Sequence, residues 1–215
     1  MDDIFIDIEI WNNKLIMRTH ESLFSPNHVD KGTLAMLKYV SLKPEDKVLD
    51  LGCGYGVVGI AVAKAIGDKQ VYMVDYNELA VELSKENAIR NNVPNVTIEC
   101  RNGVAPFKEN DFSLILSNPP YHTDFSVPKE FIEQGFKHLK LNGKIMLVVK
   151  RLDWYKNKLT SVFGGVKVIE DDGYYVLISE KRSHTITKDK NKTTTKKHRK
   201  KIQRQKKTRF HKKKD

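Results

Sequence analysis

The sequence predicts an α/β fold: a doubly wound, seven-stranded, mainly parallel sheet that ends in an antiparallel hairpin and is preceded by a short N-terminal β-hairpin. Three observations predict it. From residue 47 onward, short apolar runs alternate with longer helical patterns, as parallel strands joined by crossover helices do. Most of these runs are apolar throughout rather than alternating, so both faces of the sheet are covered. The last run, "VKVIEDDGYYVLISEK" (166–181), reads as two strands joined around Asp172-Gly173, which makes the final pair antiparallel.

In chain order, "IFIDIEIWNNKLIMRTH" (4–20) alternates apolar and polar residues around Asn12-Asn13 and reads as a β-hairpin. "SPNHVDKGTLAMLKYV" (25–40) holds a helix whose apolar positions Leu34, Leu37, Tyr39 and Val40 fall roughly on one face, with Lys43-Pro44 beyond its end. "KVLDLG" is a short strand running into glycines, and "VVGIAVAKAIG" is an apolar helix closed by Gly67. "QVYMVD" is the next strand. "NELAVELSKENAIRNNV" is a helix with Asn77 as its N-cap and Glu82, Glu86 and Arg90 along one face. "NVTIEC" and "FSLILS" are the third and fourth strands of this region. "PKEFIEQGFKHLKLNG" is a helix expected to end at Asn142-Gly143, and "KIMLVVK" is the fifth strand.

Charge divides the chain unevenly. Of its 38 Lys/Arg, 17 lie in residues 181–215 with only two acids, Asp189 and Asp215, a net of +15; residues 1–180 carry 21 basic and 25 acidic residues, a net of −4. The segment 182–215 has three large apolar residues, Ile186, Ile202 and Phe210. It cannot bury enough surface to offset the entropy of ordering, so a disordered Lys/Arg-rich tail is expected there. Such an arm suits polyanions, RNA in particular, through nonspecific phosphate contact. No stretch approaches the roughly 18 apolar residues of a membrane span, and the acidic, alternating N-terminus does not read as a signal peptide. The two cysteines, Cys53 and Cys100, have no disulfide or zinc spacing, which favours a cytoplasmic setting.

"VLDLGCGYGVVGIA" (48–61) follows a strand and opens a helix. Its glycines let the backbone approach a ligand, and the helix behind offers unpaired N–H groups. Asp75 ends the next strand, where a carboxylate can accept both hydroxyls of a ribose. Gly54-x-Gly56-x-x-Gly59 with an acid about 20 residues on also fits a dinucleotide fingerprint. The stretch "LDLGCGYG" also resembles the S-adenosylmethionine (SAM) loop of class I methyltransferases, in which the acid before the first glycine, here Asp50, helps hold the charged methionine part. An acid so near a pyrophosphate would serve a dinucleotide poorly, so Asp50 favours SAM.

"SNPPYHTDF" (117–125) closes the fourth strand, at the sheet edge where open α/β sheets bind ligands. Pro119 and Pro120 fix the backbone and remove two N–H donors. The turn is then an array of acceptors, the Asn118 side-chain oxygen and the Pro119 carbonyl, suited to an exocyclic amino group. Tyr121 can stack on the base that carries the amine.

Asn118-Pro119-Pro120-Tyr121 resembles the [N/D]PP[Y/F/W] signature of amino methyltransferases, which act on adenine N6, guanine N2 or glutamine amides. Together with "ESLFSPNHVDKGTLAML", "VLDLGCGYGVVGIA", "LNGKIMLVVKR" and "GYYVLISEK", the chain over about 15–181 resembles the single-domain ribosomal RNA small-subunit guanine-N2 methyltransferases. The resemblance implies a Rossmann-like class I methyltransferase fold, with residues 1–24 a hairpin extension and 25–181 the SAM-dependent domain. It implies that Asp50, Gly52, Cys53, Gly54, Tyr55 and Gly56 line the methionine end of SAM. Asp75, Tyr76 and Asn77 would meet the ribose, Asn102 and Gly103 the adenine, and Asn118, Pro119, Pro120 and Tyr121 the target base. Two features depart from the family: Ser22-Leu23 stands where a Gly-Val often precedes the Phe-Ser, and the basic tail is extra.

Other residues read more plainly. His122 is a solvent-facing loop histidine, and His20 and His28 have no partners at metal-ligand spacing, so no metal is expected. Cys53 is a packing residue, since methyl transfer to an amine needs no covalent intermediate. Trp154 and Tyr155 pack rather than stack on RNA. The function expected is SAM-dependent methylation of guanine N2 in ribosomal RNA by a monomer. Adenine N6, a protein glutamine amide, and a non-catalytic RNA-binding assembly role are the rivals.

Overall fold

The computed structural model describes residues 4–101, 109–120 and 125–186. Strands β1 (Ile4–Ile10) and β2 (Asn13–Thr19) form the N-terminal hairpin, followed by α1 (Lys31–Lys38). The alternating region runs β3 (Val48–Leu51), α2 (Val57–Ile66), β4 (Val71–Asp75), α3 (Glu78–Arg90), β5 (Thr97–Cys100), β6 (Phe112–Ser117), α4 (Ser126–His138), β7 (Leu139–Val149) and α5 (Leu152–Phe163). Strands β8 (Lys167–Asp171) and β9 (Tyr174–Glu180) close it.

The seven-stranded sheet has the order β5-β4-β3-β6-β7-β9-β8. Strands β5, β4, β3, β6 and β7 are parallel, and β9 pairs antiparallel with both β7 and β8. The chain winds outward from β3 through β4 to β5, then returns to β6 on the other side of β3. The C-terminal ends of β3 and β6 therefore flank the point where strand order reverses, and the crevice for a ligand opens there.

Successive residues of the central strands feed two separate cores, one per face. Val48, Met73, Leu114, Leu116, Met146, Val148 and Val176 pack with α1, α2, α3 and the N-terminal hairpin. Leu49, Leu51, Val74, Ile115, Ile145, Leu147 and Leu177 pack with α4 and α5. Both faces being covered is the reason the strands lack polar alternation.

The hairpin belongs to the first core through Leu15 and Met17, both 0% exposed. Its turn is Trp11-Asn12, with φ of 50° and 62°, one residue earlier than Asn12-Asn13. Trp11 Nε1 donates to the Leu37 carbonyl at 3.3 Å, and that anchor on α1 holds a tryptophan in a left-handed turn. In α1 the buried residues are Gly32, Thr33, Ala35, Met36 and Leu37, whereas Leu34 and Val40 are half-buried and Tyr39 is exposed. The face is set by Asp30, whose carboxylate caps the Thr33 N–H at 3.0 Å and starts the helix at Lys31.

Two further differences lie between β6 and β8. Helix α4 stops at His138, not at Asn142-Gly143, because Leu139 already pairs with Phe112 of β6. The next β6–β7 pair is Leu114–Lys144, so the Asn-Gly pair sits in a bulge inside β7. Lys181 Nζ caps the helix end by donating to the Lys137 and Leu139 carbonyls at 3.2 and 2.6 Å. Helix α5 was not anticipated, although Tyr155, Leu159, Val162 and Phe163 follow helical spacing ahead of a left-handed Gly164. Tyr155 is buried, and Trp154 stacks on Phe125 with ring centroids 4.4 Å apart. The described chain continues past β9 to Ile186, which packs against the second core. No helix among the described residues is long and apolar enough to cross a membrane.

Candidate active site

The glycine loop leaves β3 at Leu51 and enters α2 at Val57. Gly52, Gly54 and Gly56 have φ of 76°, 55° and 101°, the left-handed region that favours glycine. At Gly56 a Cβ would also lie 2.9 Å from the Met73 methyl and 3.1 Å from Ser84 Oγ. The loop is tied down on all sides. Gly52 N and Cys53 N both donate to the Val74 carbonyl at 2.9 Å. Gly54 N donates to Asp75 Oδ2 at 2.9 Å, and Ser84 Oγ donates to the Gly54 carbonyl at 2.7 Å. Asn87 Nδ2 donates to the Tyr55 carbonyl at 2.9 Å, and the Tyr55 hydroxyl donates to the Ser25 carbonyl at 3.3 Å.

The two acids occupy different environments. Asp50 is 2% exposed and accepts from Gly59 N at 2.8 Å. Burial pushes its carboxyl up to about 7; the Gly59 hydrogen bond opposes that rise and nearby Asp75 adds to it. Asp75 is half-buried at the end of β4; its Oδ1 accepts from Asn77 N at 3.0 Å and its Oδ2 from Gly54 N. Each carboxylate oxygen can accept more than one hydrogen bond, so Asp75 retains acceptor capacity for a diol. Asn77 caps α3, and Tyr76 beside it is 72% exposed. Cys53 is buried against Ser84, and burial first, then Asp50 and Asp75, push its thiol well up. A neutral thiol suits packing, not attack.

Strand β6 delivers Asn118 to the same edge. Ser117 Oγ donates to the Leu51 carbonyl at 2.6 Å, clamping the two strand ends together. Asn118 Nδ2 donates to Asp30 Oδ2 at 2.9 Å and to Thr33 Oγ1 at 3.0 Å. A carboxylate only accepts, so this contact fixes which end of the amide faces α1. Pro119 behind it is buried and Pro120 exposed. The electrostatic reach of Asp30 extends to the glycine loop: the Tyr55 hydroxyl is pushed up to about 12, by burial first and then by Asp30.

The structure thus gathers Asp50, the loop residues 52–56, Asp75, Tyr76, Asn77 and Asn118 along one rim. Tyr121, Asn102, Gly103 and His122 lie outside the described residues. His20 is occupied locally, its Nδ1 accepting from Ser22 N at 3.1 Å. Among the described residues, no group of three or more His, Cys, Asp or Glu side chains could hold a metal ion. Asp30, Thr33, Ser84, Asn87 and Ser117 were not foreseen as parts of the site. The Asp-x-x-Thr spacing marks a helix cap, but nothing in it points to an asparagine 88 residues away.

A comparison with protein families matches residues 14–179 to the methyltransferase small domain. Among curated proteins, the uncharacterized protein YbxB of Bacillus subtilis is 31% identical over 176 residues, covering 79% of this chain and 88% of that one. Ribosomal RNA small subunit methyltransferase C of Psychromonas ingrahamii is 31% identical over 176 residues, covering 80% of this chain and 50% of that protein. The chain spans about half the length of such ribosomal RNA methyltransferases. Among solved structures, a Thermus thermophilus 16S rRNA N2 methyltransferase, in complex with AdoMet and guanosine, aligns with a TM-score of 0.74. It is 23% identical, and the match covers 84% of this chain and 51% of that one. With the match extending from β2 to β9, and with the strand order and glycine loop of a SAM-dependent methyltransferase, the chain belongs to the methyltransferase small domain family.

Proposed function

We propose that the protein is a SAM-dependent methyltransferase that modifies the exocyclic N2 amine of a guanine in ribosomal RNA. The observation that carries this reading is the amide of Asn118, fixed by Asp30 and Thr33 at the end of β6 and clamped beside the glycine loop. With its NH₂ end committed to α1, the side chain offers the amine an acceptor of fixed orientation. The residues of the loop fit SAM: left-handed glycines allow close approach of a ligand, Asp50 supplies negative charge near the methionine end, and Asp75 supplies acceptors for the ribose. When bound there, SAM supplies an electrophilic methyl group.

The chain's own work is positioning. Asn118 and the Pro119 carbonyl hold the amine's hydrogens, and Tyr121 stacks on the base. Holding the amine in this way gives effective concentration rather than acid–base chemistry. The amine becomes cationic only as it is methylated, and a cationic amine loses its proton to water without a dedicated base. The names of the curated relatives, ribosomal RNA methyltransferases of the small and large subunits, support an RNA substrate. The segment after Ile186 supplies nonspecific attraction to phosphates.

The test is to incubate the protein with labelled SAM and, separately, ribosomal subunits, duplex DNA and total protein, then digest the labelled product. N2-methylguanosine from ribosomal RNA is the expected product. N6-methyladenine or N5-methylglutamine would replace the proposed substrate, and failure to bind SAM would leave a non-catalytic RNA-binding role.

A further inference from the structure

We infer that Asp30 and Thr33 are positioning residues for the transfer: they orient the Asn118 amide, and the Asp30 charge strengthens its carbonyl as the acceptor of the target amine. The inference rests on the proposed amine substrate and deepens it.

Three features support it. Asp30 Oδ2 accepts from Thr33 N and from Asn118 Nδ2, so one oxygen joins the first turn of α1 to the end of β6. Thr33 Oγ1 accepts the second amide proton of Asn118, and Thr33 is itself buried. Gly32 between them is packed so closely that a Cβ would lie 2.7 Å from the Tyr174 ring and 2.8 Å from Asp30 Oδ2. Tyr174 thus backs the turn from β9, and Lys150 Nζ lies 5.0 Å from that ring's centre. Asp30 therefore does more than cap α1: the oxygen that accepts from Thr33 N also accepts from Asn118.

The chemistry follows from polarisation. An amide whose N–H groups point at a carboxylate gains electron density on its carbonyl oxygen, because linked hydrogen bonds polarise one another; here both Asp30 and Asn118 are half-buried. During transfer the amine nitrogen gives its lone pair to the new N–C bond, the old S–C pair stays with sulfur, and positive charge passes to nitrogen. One N–H proton then leaves to water. An acceptor made more negative by Asp30 binds that amine more strongly as its charge grows than before, so it acts on kcat more than on KM.

The experiment is Asp30→Asn in the full chain. Asparagine caps helices as well as aspartate, so the fold and the SAM Kd stay as in the wild type. Expected is a drop in kcat of about tenfold, from replacing a charge-assisted hydrogen bond by a neutral one, with KM for RNA little changed. Thr33→Val gives a smaller drop, and Thr33→Ser restores it. The second readout needs no turnover: the side-chain NH₂ signals of Asn118 in a ¹⁵N spectrum, assigned by their loss in Asn118→Ala, shift in Asp30→Asn. Wild-type kcat in Asp30→Asn, or unmoved Asn118 NH₂ signals, overturns the inference. If the wild type methylates no amine, the proposed function falls and the role in transfer falls with it; an active wild type with unchanged kcat in Asp30→Asn overturns the inference alone.

Discussion

The side-chain amide of Asn87 donates to the main-chain carbonyl of Tyr55 at 2.9 Å, and so joins the last turn of α3 to the glycine loop. The same side chain donates to the Arg18 carbonyl at 2.8 Å and accepts from Arg18 N at 2.7 Å. Asn91, one turn on, does the same for Ile16 at 3.0 Å in each direction. Two asparagines on one helix face thus serve as a substitute strand along the open edge of β2, satisfying backbone groups that a hairpin edge leaves unpaired.

Asn87→Ala removes three hydrogen bonds at once, taking a partner from the half-buried main chain of Arg18 and from the buried Tyr55 carbonyl. Each such group costs about 1–3 kcal/mol, so a loss of about 3 kcal/mol in unfolding free energy is expected by urea titration. The loop loses its prop as well, so the Kd for SAM should rise. Wild-type stability would mean that water replaces the amide.

Asp50 gives a pH dependence with a defined sign. Its carboxyl is raised from 3.8 to about 7 by burial, so between those values the folded chain holds a proton that the unfolded chain has released. Stability of the ligand-free protein therefore falls as pH rises through that window, and levels off above about 7. Asp50→Asn should lack the slope. SAM binding runs the opposite way: its ammonium group favours the carboxylate, so affinity rises with pH up to about 7. Calorimetry at about pH 6, in buffers of different ionisation heat, should register proton release. A SAM affinity flat across this range would remove Asp50 from the cofactor site.

Gly32→Ala places a methyl group against the Tyr174 ring and Asp30 Oδ2. Overpacking of this kind costs about 1–3 kcal/mol. Displacement of Asp30 should also reduce turnover while SAM still binds. Turnover and thermal midpoint both equal to wild type would show that the turn yields without moving Asn118.

Ile186 packs against the second core, so a truncation that tests the basic segment belongs after it. The 187–215 segment carries 15 Lys/Arg and two acids. Its removal should weaken RNA binding at low salt by at least about tenfold and make log K less steep against log salt. SAM affinity should not change. Equal RNA affinity with and without the segment would reject its role in phosphate contact.

Much of this protein is local and was legible in its sequence. The glycines that adopt left-handed backbone, the Asp172-Gly173 turn, the Asn77 cap and the apolar strands each follow from the preferences of a few neighbouring residues. So did the location of Asn118 at a strand's C-terminal end, since a Pro-Pro pair after an apolar run can only end it. The end of α4 is not legible in the sequence, because an Asn-Gly pair serves a helix stop and a strand bulge equally well. The pairing of Leu139 with Phe112 chose between them.

Tertiary structure alone decided what surrounds those motifs. Asp30 meets Asn118 across 88 residues, Asn87 meets Arg18 across 69, and Ser117 meets Leu51 across 66. A side-chain hydrogen bond of this kind leaves no periodicity or spacing in the chain. It exists because the strand order sets β6 beside β3 and lays α1 over β7 and β9, and that order is fixed by burial of two whole cores rather than by any short stretch of residues.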